Sequence, residues 1–184
     1  MSSAPKSPPI RVEQYERFEG YLGLKDELIN GEICLSPQPK PLHQQIVKNI
    51  NSLLDAALQG QIYTAQQNSN IRFRGANSMP SPDVFVITQQ DWQRACEADD
   101  YLSVPPILVI EILSPANRKR RVEAKVTLYL SQGVTEVWLV YPKLRKTVIH
   151  RTHFEEAAGD EIPLPPPLTG SLKTASFFPI SAGT

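Results

Sequence analysis

The chain has 184 residues, 41% of them hydrophobic, and its 19 Lys plus Arg balance 19 Asp plus Glu. That length suits one domain with a real core, and the balanced charge gives no argument for strong nonspecific binding to DNA or to a membrane. No apolar stretch approaches a membrane span, and the start, MSSAPKSPPI, has no signal-peptide apolar region. Cys34 and Cys96 stand apart, outside any CxxC or Cys/His spacing, which argues against a thiol-ligated zinc site and suits a reducing, cytoplasmic setting.

Prolines gather at both ends. Residues 1–10 read as a flexible arm, 11–160 as a single domain, and 161–184 as a Pro-rich tail wrapping the domain or a partner subunit. Within the domain, RVEQYERFEG carries a short helix pattern (Val12, Tyr15, Phe18) ended by Gly20. LKDELINGEICLSP reads as two strands around a turn at Asn30-Gly31, a strong hairpin signal, and Pro37, Pro39 and Pro41 stop the second strand. From His43 to Leu58 the apolar positions follow the helical period. GQIYTAQQNSNIRFR then predicts a strand with a polar interruption, SPDVFVI another strand, and TQQDWQRACEADD a surface helix or loop.

PPILVIEILSP follows, a near-continuous β-branched and aliphatic run that predicts a strand buried on both faces. ANRKRRVEAKVTLYLSQG predicts a helix with Val122, Val126, Tyr129 and Leu130 on one face and Gly133 as C-cap, and TEVWLVYP and KTVIHRTHF predict two final strands. The expected fold class is α/β or α+β, a mixed sheet flanked by helices.

Glu111 lies inside the most apolar of these strands. An ionised carboxylate there loses its hydration, which costs several kcal/mol unless a cation or donors compensate. Asp83 opens the preceding apolar strand, and Lys125 stands at the edge of the apolar stripe on the following helix, with Arg118 on the same edge. Two carboxylates and a lysine suit metal-assisted phosphodiester hydrolysis. Asp83 and Glu111 supply hard oxygens for Mg²⁺ or Mn²⁺, the ion activates water, and Lys125 orients that water or stabilises the transition state. Arg118, Lys119, Arg120 and Arg121 form the one basic cluster, placed to grip a phosphate backbone.

Each residue also has a plainer reading. Asp83 after Pro82 can cap a turn, Glu111 can pair with Arg118 or a backbone donor, and Lys125 can snorkel to solvent. His43 can begin its helix, and Glu32 can occupy the exposed side of a hairpin strand.

PDVFVI, ILVIEILSP and the pattern from Lys125 through Tyr129, Gly133, Val134, Glu136 and Trp138 to Pro142 together resemble the Uma-type endonucleases. DELINGEICLSP and HQQIV resemble that family as well, so the likeness spans roughly residues 12–155. It implies the PD-(D/E)XK, restriction-endonuclease-like fold, nuclease activity on DNA, and a homodimer by analogy. The superfamily motif has a lysine two residues after Glu111, where this chain has Leu113; the resemblance implies that the following helix supplies it, where Lys125 stands. It also implies an additional group near the metal from Glu32 or His43. The rival expectation is a non-catalytic nucleic-acid-binding or interaction module that keeps the fold. A hydrolase of another phosphate ester would share the metal site without needing the basic cluster.

Overall fold

A computed structural model describes residues 8–114 and 119–179. The chain enters through a single helical turn, α1 (Val12–Tyr15), and then forms a hairpin of β1 (Leu24–Ile29) and β2 (Glu32–Pro37). Asn30 (φ 51°) and Gly31 (φ 77°) make its turn, both in the left-handed region that a tight hairpin requires. Gly31 is doubly constrained, because a Cβ there would lie 2.6 Å from Pro9 Cβ. The expected helix stops short of Phe18. Instead, the Glu16 carboxylate is drawn into an ion pair with Arg72 at 2.5 Å.

α2 (Pro41–Ala57) begins with proline, whose missing N–H costs nothing at a helix start, and buries Ile46, Val47, Ile50 and Leu54. After β3 (Tyr63–Gln67) the chain runs irregularly through the polar NSN segment, with isolated bridges from Ile71, Phe73 and Met79 and no named strand before β4 (Val84–Thr88). Thr88 then caps α3 (Gln89–Ala98) by accepting from Asp91 N. β5 (Leu108–Ile112), α4 (Lys119–Ser131), β6 (Glu136–Tyr141), β7 (Lys146–Arg151) and β8 (Phe154–Ala157) complete the main body.

The main sheet has six strands in the order β3-β4-β5-β6-β7-β8. β5 and β6 pair in parallel across the α4 connection; the other neighbours are antiparallel. The architecture is thus a mixed α+β sheet flanked by helices. Strand alternation divides the core. Leu108, Ile110 and Ile112 face α2 with Trp138 and Phe177, whereas Val109 faces α4 with Leu139 and Tyr129. Helices on both faces explain why β5 reads as a continuous apolar run. By the same alternation, Glu111 points toward α4.

The Pro-rich tail folds further than its composition foretells. β9 (Glu161–Pro163) and β10 (Ser171–Lys173) pair as a small hairpin, and Ile162, Leu164, Leu168, Leu172, Phe177 and Phe178 join the α2-side core. Alternate apolar residues among the prolines allow this docking, and burying a side chain as large as Phe177 contributes about 1.5–3 kcal/mol. Among the described residues, no helix is long and apolar enough to cross a membrane.

Candidate active site

Pairing of Val84 with Ile110 brings Asp83 alongside Glu111, where β4 and β5 meet. α4 then crosses the same face. Val126 and Tyr129 bury in the core on one side of the helix, and this orients Lys125 toward the end of β5. The β1–β2 hairpin closes the cluster from above: its β1 strand buries Leu28 and Ile29 and delivers Glu27 beside Lys125.

The contacts are close. Lys125 Nζ lies 2.7 Å from Glu111 Oε1 and 2.8 Å from Glu27 Oε1. The Tyr129 hydroxyl donates to Glu111 Oε1 at 2.8 Å, and Ser81 N donates to Glu27 Oε1 at 2.7 Å. Asp83 Oδ2 accepts from Ile112 N at 2.8 Å, while its Oδ1 lies 3.1 Å from His43 Nε2 and 3.6 Å from Lys25 Nζ. Lys25 also donates to Ser81 O at 3.1 Å. Glu27, Asp83 and Glu111 are all buried.

Burial sets the proton affinities, and charge then modifies them. Burial pushes the Glu111 carboxyl up to about 7, against the pull of Lys125 and with added repulsion from Asp83 and Glu27. Burial also opposes ionisation of Asp83, but the His43 hydrogen bond and the Lys25 and Lys125 charges outweigh it and hold that carboxyl below its ordinary value. Lys125 is pulled down by burial and raised by Glu111 and Glu27, with the carboxylates prevailing, so its ammonium is retained. The Tyr129 phenol, desolvated and beside Glu111, is raised well above its usual value and remains a donor. Once Glu111 is deprotonated, three crowded carboxylates face two lysines, which leaves room for one more positive charge.

Hard oxygen donors of this kind fit Mg²⁺ or Mn²⁺, which are held by one or two carboxylates and keep several waters. The hydrogen bonds that Glu27 and Glu111 accept from described residues fall on Oε1 of each, leaving Oε2 outside those contacts. Among the described residues, no three His, Cys, Asp or Glu side chains converge as a ready-made cage. A bound ion would therefore draw most of its shell from water.

Asp83, Glu111, Lys125 and His43, all named from sequence, thus come together. Glu32 does not join them in this way: it is exposed at the start of β2, opposite Ile29. Of the basic cluster, Arg118 lies outside the described residues. Lys119 is 91% exposed and pairs with Glu123 at 3.7 Å, Arg120 is exposed, and Arg121 donates to Leu35 O at 3.1 Å, tying α4 to β2. Sequence reasoning missed Glu27 and Lys25, and took Tyr129 for core only. A signal existed: Lys25, Glu27 and Ile29 share one face of a strand, and Ile29 is apolar.

The family model of Uma2, described as "Putative restriction endonuclease", matches residues 12–175. No curated protein matches. Among solved structures, the chain is similar to a protein from Anabaena variabilis described as a "putative nuclease belonging to DUF820", with a TM-score of 0.76 and 22% identity over 92% of this chain and 98% of that one. Likeness at that identity shows a shared fold. The family match covers most of the chain, and the chain belongs to the Uma2 family.

Proposed function

We propose that the chain is a divalent-metal-dependent endonuclease that hydrolyses DNA phosphodiester bonds at the Asp83–Glu111–Lys125 cluster. The observation that carries this reading is the position of Lys125, whose Nζ bridges Glu111 and Glu27 at 2.7 and 2.8 Å. The helix thereby supplies the cation that Leu113 cannot.

Asp83 and Glu111 are the residues that would hold Mg²⁺ or Mn²⁺, with Glu27 close enough to help. The bound ion would supply positive charge against the scissile phosphate and acidify a coordinated water. Asp83 is preorganised for that role by Ile112 N, His43 and Lys25, which keep it ionised. Lys125 presents a desolvated ammonium, which in a low-dielectric site stabilises charge developing on a phosphoryl oxygen far better than it would in water. Tyr129 fixes Glu111. Lys119, Arg120 and Arg121, with Arg118, would contact the backbone, and a homodimer would allow both strands of a duplex to be cut.

Titration calorimetry with Mn²⁺ tests the metal site: wild type should bind and Glu111→Ala should not. A second reading, a non-catalytic module that keeps the fold, is favoured by one observation. Glu111 is already paired to two side chains, Lys125 and Tyr129. If both proteins give the same flat isotherm, this second reading takes precedence.

A further inference from the structure

Lys25 and Ser81 belong to two places at once. On one side, Lys25 Nζ faces Asp83 and Ser81 N bonds Glu27. On the other, both residues line a cavity of about 400 Å³ whose remaining wall includes Gln38, Gln44, Asn68 and Asn70. The cavity therefore shares a wall with the candidate active site.

Its chemistry is unusual. None of the four amide side chains makes a hydrogen bond to a described residue, although each carries two donor hydrogens and an acceptor oxygen. A single exposed amide simply hydrates, but four around one concavity form a polar surface built to exchange water for a flat ligand with both donors and acceptors. A nucleobase edge is such a ligand, and Asn and Gln pair two-pronged with adenine N6 and N7. Tyr15 also lines the cavity, and from it an aromatic series runs outward: Phe18 lies 6.4 Å from Tyr15, and Tyr21 lies 5.0 Å from Phe18. Phe18 and Tyr21 are 36% and 46% exposed, presenting rings on which neighbouring bases can stack.

We propose that this cavity is a base-reading subsite of the nuclease site, taking one unpaired adenine of the substrate strand between the Gln44 and Asn70 amides. The inference rests on the nuclease reading above, because the strand has to pass Lys25 to reach Asp83 and Glu111. A base held in a side concavity has left the helical stack, so the substrate base is single-stranded or everted.

Fluorescence anisotropy with short labelled oligodeoxyadenylate and oligodeoxythymidylate, in EDTA to prevent cleavage, tests the proposal on the full chain. Wild type should bind the adenine strand roughly tenfold more tightly. Gln44→Ala/Asn70→Ala should lose that preference, and Phe18→Ala/Tyr21→Ala should weaken both strands alike. The thermal melt of Gln44→Ala/Asn70→Ala should match wild type, since neither amide makes a hydrogen bond to a described residue, whereas Phe18→Ala/Tyr21→Ala gives up the ring contacts among Tyr15, Phe18 and Tyr21 and should melt slightly lower. Equal binding of both strands by wild type, or a preference that Gln44→Ala/Asn70→Ala retains, overturns the subsite. So does displacement of the strand by adenosine monophosphate at equal base concentration, which would mark a site for free nucleotides. Plasmid cleavage on the same preparations separates the two ideas. A protein that cuts but shows no base preference loses only the subsite, whereas one that prefers adenine but never cuts keeps the pocket and loses the nuclease reading.

Discussion

Lys125 Nζ sits 2.7 Å from Glu111 Oε1, with the lysine on a helix and the carboxylate on the strand before it. The pair is buried at the same point where Glu27 and Asp83 arrive from other elements. Its consequences for stability, proton uptake and catalysis are separable.

Removing the cation while leaving the carboxylates is the harshest test of the pair. Lys125→Met should destabilise the protein by about 3 kcal/mol, because breaking one side of a buried ion pair strands the other. Urea denaturation reads this. Lys125→Arg should recover most of the stability but cleave poorly, since a planar guanidinium cannot occupy the position of a compact ammonium.

Proton uptake at Glu111 gives a distinctive pH dependence. Its folded-state affinity is raised from the ordinary 4.5 to about 7. Between those values the folded protein holds a proton that the unfolded chain has released. The associated stability is fully present below about 4.5 and is lost as pH rises through about 7, with a slope of at most about 1.4 kcal/mol per pH unit. Urea midpoints in EDTA across that window should show the fall, and Glu111→Gln should flatten it. A slope unchanged in Glu111→Gln would mean that another group carries the linkage.

Glu27 should prove as necessary as the residues that sequence named. Glu27→Ala leaves Ser81 N, buried, without its acceptor, costing about 1–3 kcal/mol. Glu27→Gln keeps an acceptor and should fold nearly normally. Both should lower plasmid cleavage by roughly 10- to 100-fold, the usual effect of removing a group that orients a metal ligand or its neighbours.

Leu113 offers a gain-of-function test. It follows Glu111 at the strand spacing that puts both on the α4 side, and it is only partly buried. In a Lys125→Met background, Leu113→Lys should restore part of the plasmid cleavage by returning the lysine to the superfamily position. Stability recovering without activity would separate charge balance from catalysis.

Glu111 was legible because a charge inside an apolar strand is conspicuous, and Asp83 and Lys125 because each sits at the margin of an apolar pattern. The hairpin was legible from Asn30-Gly31, whose local backbone demands need no tertiary context. Glu27 was not. In LKDELI it is one of three consecutive charges, and it becomes buried only when the hairpin folds over α4, a long-range event that the strand face shared with Ile29 does not by itself specify. The tail was obscured for a related reason: its prolines describe a chain that cannot form long strands, yet Ile162 and Leu172 still pair and dock against α2. The cavity amides, scattered between Gln38 and Asn70, meet only in the folded protein.

The measurement that bears most directly on the central claim is cleavage of supercoiled plasmid with Mg²⁺ or Mn²⁺ by wild type, Glu111→Ala and Lys125→Ala, purified identically. The expected result is nicking or linearisation by wild type that requires the added metal and is lost in both variants. An inactive wild type, or three proteins that cut equally, would contradict the account and leave the Asp83–Glu111–Lys125 cluster as a structural ion network.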